Sequence, residues 1–140
     1  MTPRHKVLIV EDEQDIAGLI KHALERGGDA EAEIVASGDA ALRAAAERTP
    51  DLIILDLNLP DINGIDVLRE IRSVEPHTPV IILTGAGRGE VENQARELGV
   101  TDFLQKGFSL HELGAALNRV LKQPGQADPP SSGPKTPRAR

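Results

Sequence analysis

Five short apolar segments recur along the chain: VLIV (7–10), EIV (33–35), LIIL (52–55), VIIL (80–83) and the weaker DFLQ (102–105). Unbroken apolar runs of this kind read as strands buried on both faces of a sheet, where alternation is not needed. The stretches between them have helical spacing. Ile16, Leu19, Ile20, Ala23 and Leu24 form one such face; Ala40, Ala41, Ala44 and Ala45 form a second, ended by Thr49-Pro50. Ile65, Leu68 and Ile71 make a third, and Leu110, Leu113, Leu117, Val120 and Leu121 make a long last one. Ser109 with Glu112 three residues later has the spacing of a capping box. Val91, Ala95 and Leu98 make the thinnest face, so the fourth helix is expected to be the least firmly held. Strands alternating with helices pair in parallel through right-handed crossovers, with helices on both faces. The expectation is an α/β fold: a doubly wound, five-stranded parallel sheet forming a single domain over residues 5–122.

Residues 123–140, QPGQADPPSSGPKTPRAR, contain five prolines and no large apolar side chain. Such a segment cannot bury enough surface to offset its ordering entropy, and it reads as a Pro-rich disordered tail or a linker. The chain as a whole has a net charge of −6, and the tail is its basic part. An acidic body argues against direct nucleic-acid binding. Phe103 and Phe108 as the only aromatics argue against stacking surfaces for single strands too. There is no cysteine, which removes disulfides, thiolate metal sites and cysteine nucleophiles. No apolar run has membrane-spanning or signal-peptide length, so a cytoplasmic protein without a membrane partner is expected. The four histidines (His5, His22, His77, His111) are scattered without metal-ligand spacing and read as surface residues. Gly87-Arg88-Gly89 lacks the Lys-Ser/Thr of a phosphate loop and reads as a flexible connector.

In open parallel sheets, ligands sit beyond the carboxyl ends of the strands. The first strand ends on Glu11 and Asp12, the third on Asp56, the fourth on Thr84 and the fifth on Lys106. Parallel pairing brings these tips together, so three carboxylates, a hydroxyl and an ammonium converge. Carboxylates this close raise one another's pKa unless a cation compensates, and oxygen ligands suit Mg²⁺. Asp56 follows the most hydrophobic strand and is the candidate nucleophile. A carboxylate attacking phosphorus gives an acyl phosphate, whose oxygens would be met by Mg²⁺, Lys106 and Thr84.

These residues bring the chain close to a known family. Through VLIVEDE (7–13), LIILDLNLPDINGIDVLREIR (52–72), PVIILTGAG (79–87) and GVTDFLQKGF (99–108), it resembles the receiver domain of bacterial response regulators over residues 5–122. The resemblance implies a flavodoxin-like strand order of 2-1-3-4-5. It also implies a partner sensor histidine kinase or phosphotransfer protein, with transfer of its phosphoryl group to Asp56 in the presence of Mg²⁺. By motif, Glu11 and Asp12 correspond to the acidic pair and the Asn58 backbone carbonyl to a further metal ligand. Thr84 and Lys106 correspond to the phosphoryl-sensing pair, and Phe103 to the switch aromatic. The exposed side of the first helix, around Gln14, Ala17, Gly18 and Lys21, corresponds to the kinase-docking surface. A domain of this kind is a signalling module that assists its own phosphotransfer and dephosphorylation, and it changes the face formed by its fourth helix, fifth strand and fifth helix to control a partner. One departure is visible: the family usually has Pro after the Lys, through a cis bond, and this chain has Gly107. Without Pro a cis bond costs about 2.5–4 kcal/mol, so both isomers stay open at this point.

The competing reading is a small Mg²⁺-dependent phosphohydrolase using Asp56 as nucleophile. Such enzymes usually place a second Asp two residues later as acid/base. Here that position is Asn58, which cannot shuttle a proton. An FMN module on the same architecture would need a Ser/Thr-rich phosphate loop where this chain has carboxylates.

Overall fold

The computed structural model describes residues 5–26, 28, 30–85 and 89–121. The Pro-rich tail, most of the Gly87-Arg88-Gly89 connector and the side chain of Leu121 lie outside the described residues. Strands β1 (His5–Val10), β2 (Ala30–Val35), β3 (Leu52–Asp56), β4 (Val80–Thr84) and β5 (Asp102–Gln105) alternate with helices α1 (Gln14–Arg26), α2 (Gly38–Arg48), α3 (Gly64–Val74), α4 (Gly89–Glu97) and α5 (Leu110–Leu121). All strand pairs are parallel, and their order is β2-β1-β3-β4-β5. The expected fold class and strand order are both observed.

The apolar runs work as expected for strands covered on both sides. Every residue of β3 and β4 is buried. Successive residues alternate between two cores, as the two-residue period of a strand demands. Val7, Ile9, Leu52, Ile54, Ile81, Leu83 and Leu104 meet α1 and α5 on one face. Leu8, Val10, Ile53, Leu55, Val80 and Ile82 meet α2, α3 and α4 on the other. Each fully buried Ile or Leu contributes about 1.5–3 kcal/mol relative to exposure.

Two residues assigned to helix faces fall elsewhere. Leu19 is 42% exposed, and Leu110 is 53% exposed. Ala17, expected on the exposed docking side of the first helix, is instead buried in the core, where its small side chain fits against the sheet, and Ala116 is buried likewise. Leu110 is the first residue of α5, still too close to the cap to reach the core. The cap itself is as expected: the Ser109 N–H donates to Glu112 Oε1 at 2.8 Å, and the Glu112 N–H donates to Ser109 Oγ at 3.1 Å. In α4 only Ala95 is fully buried, in keeping with its thin face. Its far end is nevertheless pinned. Arg72 of α3 donates to the carbonyls of Leu98 (2.7 Å) and Gly99 (2.9 Å), and to those of Thr78 (2.7 Å) and Glu75 (2.9 Å). A cation on the last carbonyls of a helix also complements its dipole.

The loop from β3 to α3 is held from both ends. Asp61 accepts from the Gly38 and Asp39 N–H groups at 2.8 and 3.1 Å, so its carboxylate caps α2. Those bonds, the one from Gly38 first, hold its pKa below the ordinary carboxylate value. Asn63 caps α3 by accepting from Ile65 N–H at 2.9 Å, and the Gly64 N–H returns to Leu57 O at 3.0 Å. This return brings two backbones together. A Cβ on Gly64 would lie 2.3 Å from Leu57 Cα and 2.6 Å from its carbonyl oxygen. Gly64→Ala is therefore expected to destabilise the protein by about 1–3 kcal/mol in urea unfolding, with amide shifts at Leu57 and Asn58. Unchanged stability and unchanged loop amides would show that the close approach is not a constraint.

Candidate functional site

The chain runs outward from β1 to β2, then crosses back to place β3 on the other side of β1. This reversal opens a crevice at the carboxyl ends of β1 and β3. The register pairs Val10 with Leu55, so the next residues on each strand, Glu11 and Asp56, stand side by side. Both are 1% exposed. Two buried carboxylates in contact are costly unless cationic groups and hydrogen bonds compensate.

Lys106 supplies the cation. Its Nζ lies 3.0 Å from Asp56 Oδ2, 3.0 Å from Glu13 Oε1 and 3.5 Å from Glu11 Oε1. Lys106 leaves β5 through a turn in which Gly107 has φ 97°, a conformation favourable to glycine. The peptide bonds of the described residues are all trans, which settles the isomer of the Lys106-Gly107 bond. The other Asp56 oxygen, Oδ1, accepts from Asn58 N–H at 3.0 Å. Glu11 Oε2 accepts from Glu13 N–H at 3.0 Å. Glu11 Oε1 is buried with no hydrogen-bond donor.

The charges answer to this arrangement. Burial pushes the Glu11 carboxyl up from an ordinary 4.5 to about 7; the neighbouring Asp56 charge adds to the rise, while the Glu13 N–H and Lys106 oppose it. Burial works against the Lys106 charge. Its hydrogen bonds to Asp56 and Glu13, with the Asp56 and Glu11 charges, more than reverse that and hold its pKa above the usual lysine value.

One ammonium does not balance three or four carboxylates. Glu11, the exposed Asp12 and Asp56 each present an oxygen, and the three lie within 4.8 Å of one another. An all-oxygen donor set, with an orphaned buried oxygen among it, suits a hard divalent cation that keeps part of its water shell. Asn58 follows on the loop that Asp61 and Gly64 hold in place.

Thr84 and Phe103 do not join this cluster. Thr84 is buried, but its hydroxyl donates to Gly85 O at 2.6 Å and lies 3.4 Å from Glu92 Oε2. Phe103 packs half-buried against the α2-α3-α4 core, with the Arg96 guanidinium 4.6 Å from its ring centroid. Glu13, Glu92 and Arg96 were not singled out from the sequence. Glu13 had a signal, since it sits in the same acidic run as Glu11. Glu92 and Arg96 had only their four-residue spacing on a weak helix.

The raised Glu11 pKa sets a pH dependence. Between about 4.5 and 7 the metal-free folded state holds a proton that the unfolded chain releases, so stability falls as pH rises through that window and is level above it. In chelator-treated samples, the stability of the wild type should fall relative to Glu11→Gln from pH 4.5 to 7. Parallel curves would contradict a buried, destabilised Glu11 carboxylate.

The response regulator receiver domain family matches residues 7–118. The KDP operon transcriptional regulatory protein KdpE of Escherichia coli is 43% identical over 119 residues, which is 84% of this chain and 51% of that protein. The alkaline phosphatase synthesis transcriptional regulatory protein PhoP of Bacillus subtilis is 34% identical over 126 residues, 90% of this chain and 52% of that one. The chain thus spans about half the length of these curated relatives. Among solved structures, the receiver domain of NtrX from Brucella abortus superposes with a TM-score of 0.77 at 33% identity, covering 83% of this chain and 98% of that one. The receiver domain of the sensor histidine kinase PA1611 from Pseudomonas aeruginosa, which holds a magnesium ion in its active-site cleft, gives a TM-score of 0.77 at 30% identity, with 86% and 100% coverage. The chain belongs to the response regulator receiver domain family.

Proposed function

We propose that this chain is a phosphorylation-activated switch in which Asp56 takes a phosphoryl group from a sensor histidine kinase or phosphotransfer protein. The observation that carries the reading is the pairing of a buried Asp56 carboxylate with the Lys106 ammonium at 3.0 Å, beside an acidic cluster with a buried oxygen that accepts no hydrogen bond. Glu11, Asp12, Asp56 and the Asn58 backbone carbonyl would hold Mg²⁺. The ion, when bound, supplies positive charge to the transferring phosphoryl oxygens and screens the carboxylates from one another. An Asp56 oxygen attacks phosphorus, and the bond from phosphorus to the donor nitrogen breaks, its electron pair leaving with the imidazole. The product is an acyl phosphate. Lys106, already on Asp56, is placed to accompany the new charge. Thr84 is the remaining sensing group, and Phe103 carries the change to the α4-β5-α5 face.

The partner chemistry follows from the family. The relatives are transcriptional regulators about twice as long, so the output of this receiver is a partner or a further domain acted on through that face. Asn58 stands where a phosphohydrolase would carry its acid/base, which favours a stable phosphorylated state over turnover. Assistance to its own phosphotransfer and dephosphorylation is part of this proposal.

With Mg²⁺ and acetyl phosphate, the protein should gain one phosphoryl group that survives mild acid and is lost in hydroxylamine. Asp56→Asn should abolish the gain, because an amide is a poor nucleophile and a neutral ligand. Asp12→Asn should weaken Mg²⁺ binding and slow the reaction, while Lys106→Ala should leave labelling but uncouple it from amide shifts in residues 84–110. If Asp56→Asn were labelled as readily as the wild type, the reading would be abandoned.

A further inference from the structure

Helix α2 is capped from two sources. Ser37 Oγ accepts from the Ala40 N–H at 3.2 Å, a bond made within the helix's own segment. The Gly38 and Asp39 N–H groups donate instead to Asp61, at 2.8 and 3.1 Å and from 23 and 22 residues away. The first N–H groups of a helix need partners, and a carboxylate also meets its dipole favourably. Any nearby acid would serve that need. What sets Asp61 apart is the segment that carries it.

Asp61 stands midway along the loop that leaves Asp56. The base of this loop is closed by the Gly64 N–H on Leu57 O at 3.0 Å and by the bridge between Asn58 and Asn63. Beyond the base, Pro60 and Asp61 are exposed, and Leu59 and Ile62 are half-buried. Two half-buried side chains hold such a segment weakly, and the two bonds from α2 add a fixed point. That point is firm, because Ala41, Ala44 and Ala45 seat α2 in the core and Gly38 is buried against Ile62 and Val67. Asn58 precedes Asp61 on the same loop. Its N–H donates to Asp56 Oδ1 at 3.0 Å, so a shift of the loop is felt at the Asp56 carboxylate.

We propose that Asp61 is a positioning residue for the metal site: by tying its loop to the first N–H groups of α2, it holds the Asn58 backbone and the Asp56 carboxylate in the arrangement that takes a divalent cation. This rests on the reading of Asp56 and the Asn58 carbonyl as ligands. Asp61 supplies no ligand atom and acts through the backbone between it and Asn58. A loop that moves freely in the metal-free protein must be ordered when the ion binds, and the lost entropy weakens binding. The tether orders it beforehand. Helix α2 thereby becomes part of the support of the site, although it contributes no residue to the cluster.

The test titrates the full 140-residue chain with Mg²⁺ alone and follows the amide signals of Asp56 and Asn58. Asp61→Ala should raise the half-saturating Mg²⁺ concentration about tenfold. Asp61→Asn, which keeps an acceptor for the Gly38 N–H, should raise it less, and it carries the comparison if the alanine variant does not fold. Without metal, the Asn58 amide should exchange with solvent faster in both variants, in the same order. Ser37→Ala is the control, because it removes a cap from the same helix without cutting the tether. It should lower the melting temperature but leave the Mg²⁺ midpoint and the Asn58 exchange rate unchanged. A merely structural role would make the two caps equivalent. An equal rise of the midpoint in Ser37→Ala, or a wild-type midpoint in the Asp61 variants, overturns the proposal and leaves the reading of Asp56 and Asn58 standing. If the wild type takes up no Mg²⁺ at this cluster, that reading falls and the role of Asp61 with it.

Discussion

The arrangement depends on one ammonium. Glu11 and Asp56 stand side by side because β1 and β3 are neighbours in register, and both are out of water. Two such charges would cost several kcal/mol each if left alone. Lys106 arrives from the far side of the sheet, the tip of β5, and lies 3.0 Å from Asp56 and 3.5 Å from Glu11. The compensation is partial. Glu11 keeps an oxygen without a donor and a pKa of about 7, so the pocket without a metal is under electrostatic strain. That residual imbalance is what makes the site receptive to a divalent cation, and it makes Asp56 the proposed point of attachment for a phosphoryl group.

Much of this was legible in the sequence. The runs VLIV, LIIL and VIIL announce strands without an exposed face, and β3 and β4 are buried throughout. A residue directly after such a run must stand at the sheet's carboxyl edge, so Glu11, Asp12, Asp56 and Lys106 could be brought together before any coordinates. The strand order came from the resemblance, because periodicity gives the strands and not their neighbours. Helix faces were less readable. Leu19 and Leu110 match an apolar spacing yet face solvent, while Ala17 and Ala116 pack in the core. Hydropathy ranks leucine over alanine, but a helix lying close on a sheet has room for the small side chain.

The contacts that were not legible are those made by long polar side chains across the fold. Nothing in the sequence pairs Arg72 with the carbonyls of Leu98 and Gly99, or Glu92 with Thr84, since such bonds depend on where two elements meet. Together they change the view of α4. Its thin apolar face had suggested the least firmly held of the helices. It is instead pinned at its C-terminal end by Arg72, while Ala95 and Val91 seat the rest of it on the core.

The central claim is that the phosphoryl group resides on Asp56, and the most direct measurement is to locate it chemically. After reaction with acetyl phosphate and Mg²⁺, borohydride reduces an aspartyl phosphate to homoserine, and peptide mapping by mass spectrometry reports the position. The account predicts homoserine at residue 56 and at no other aspartate. Homoserine at Asp12, or a phosphoryl group recovered on a histidine, would contradict it.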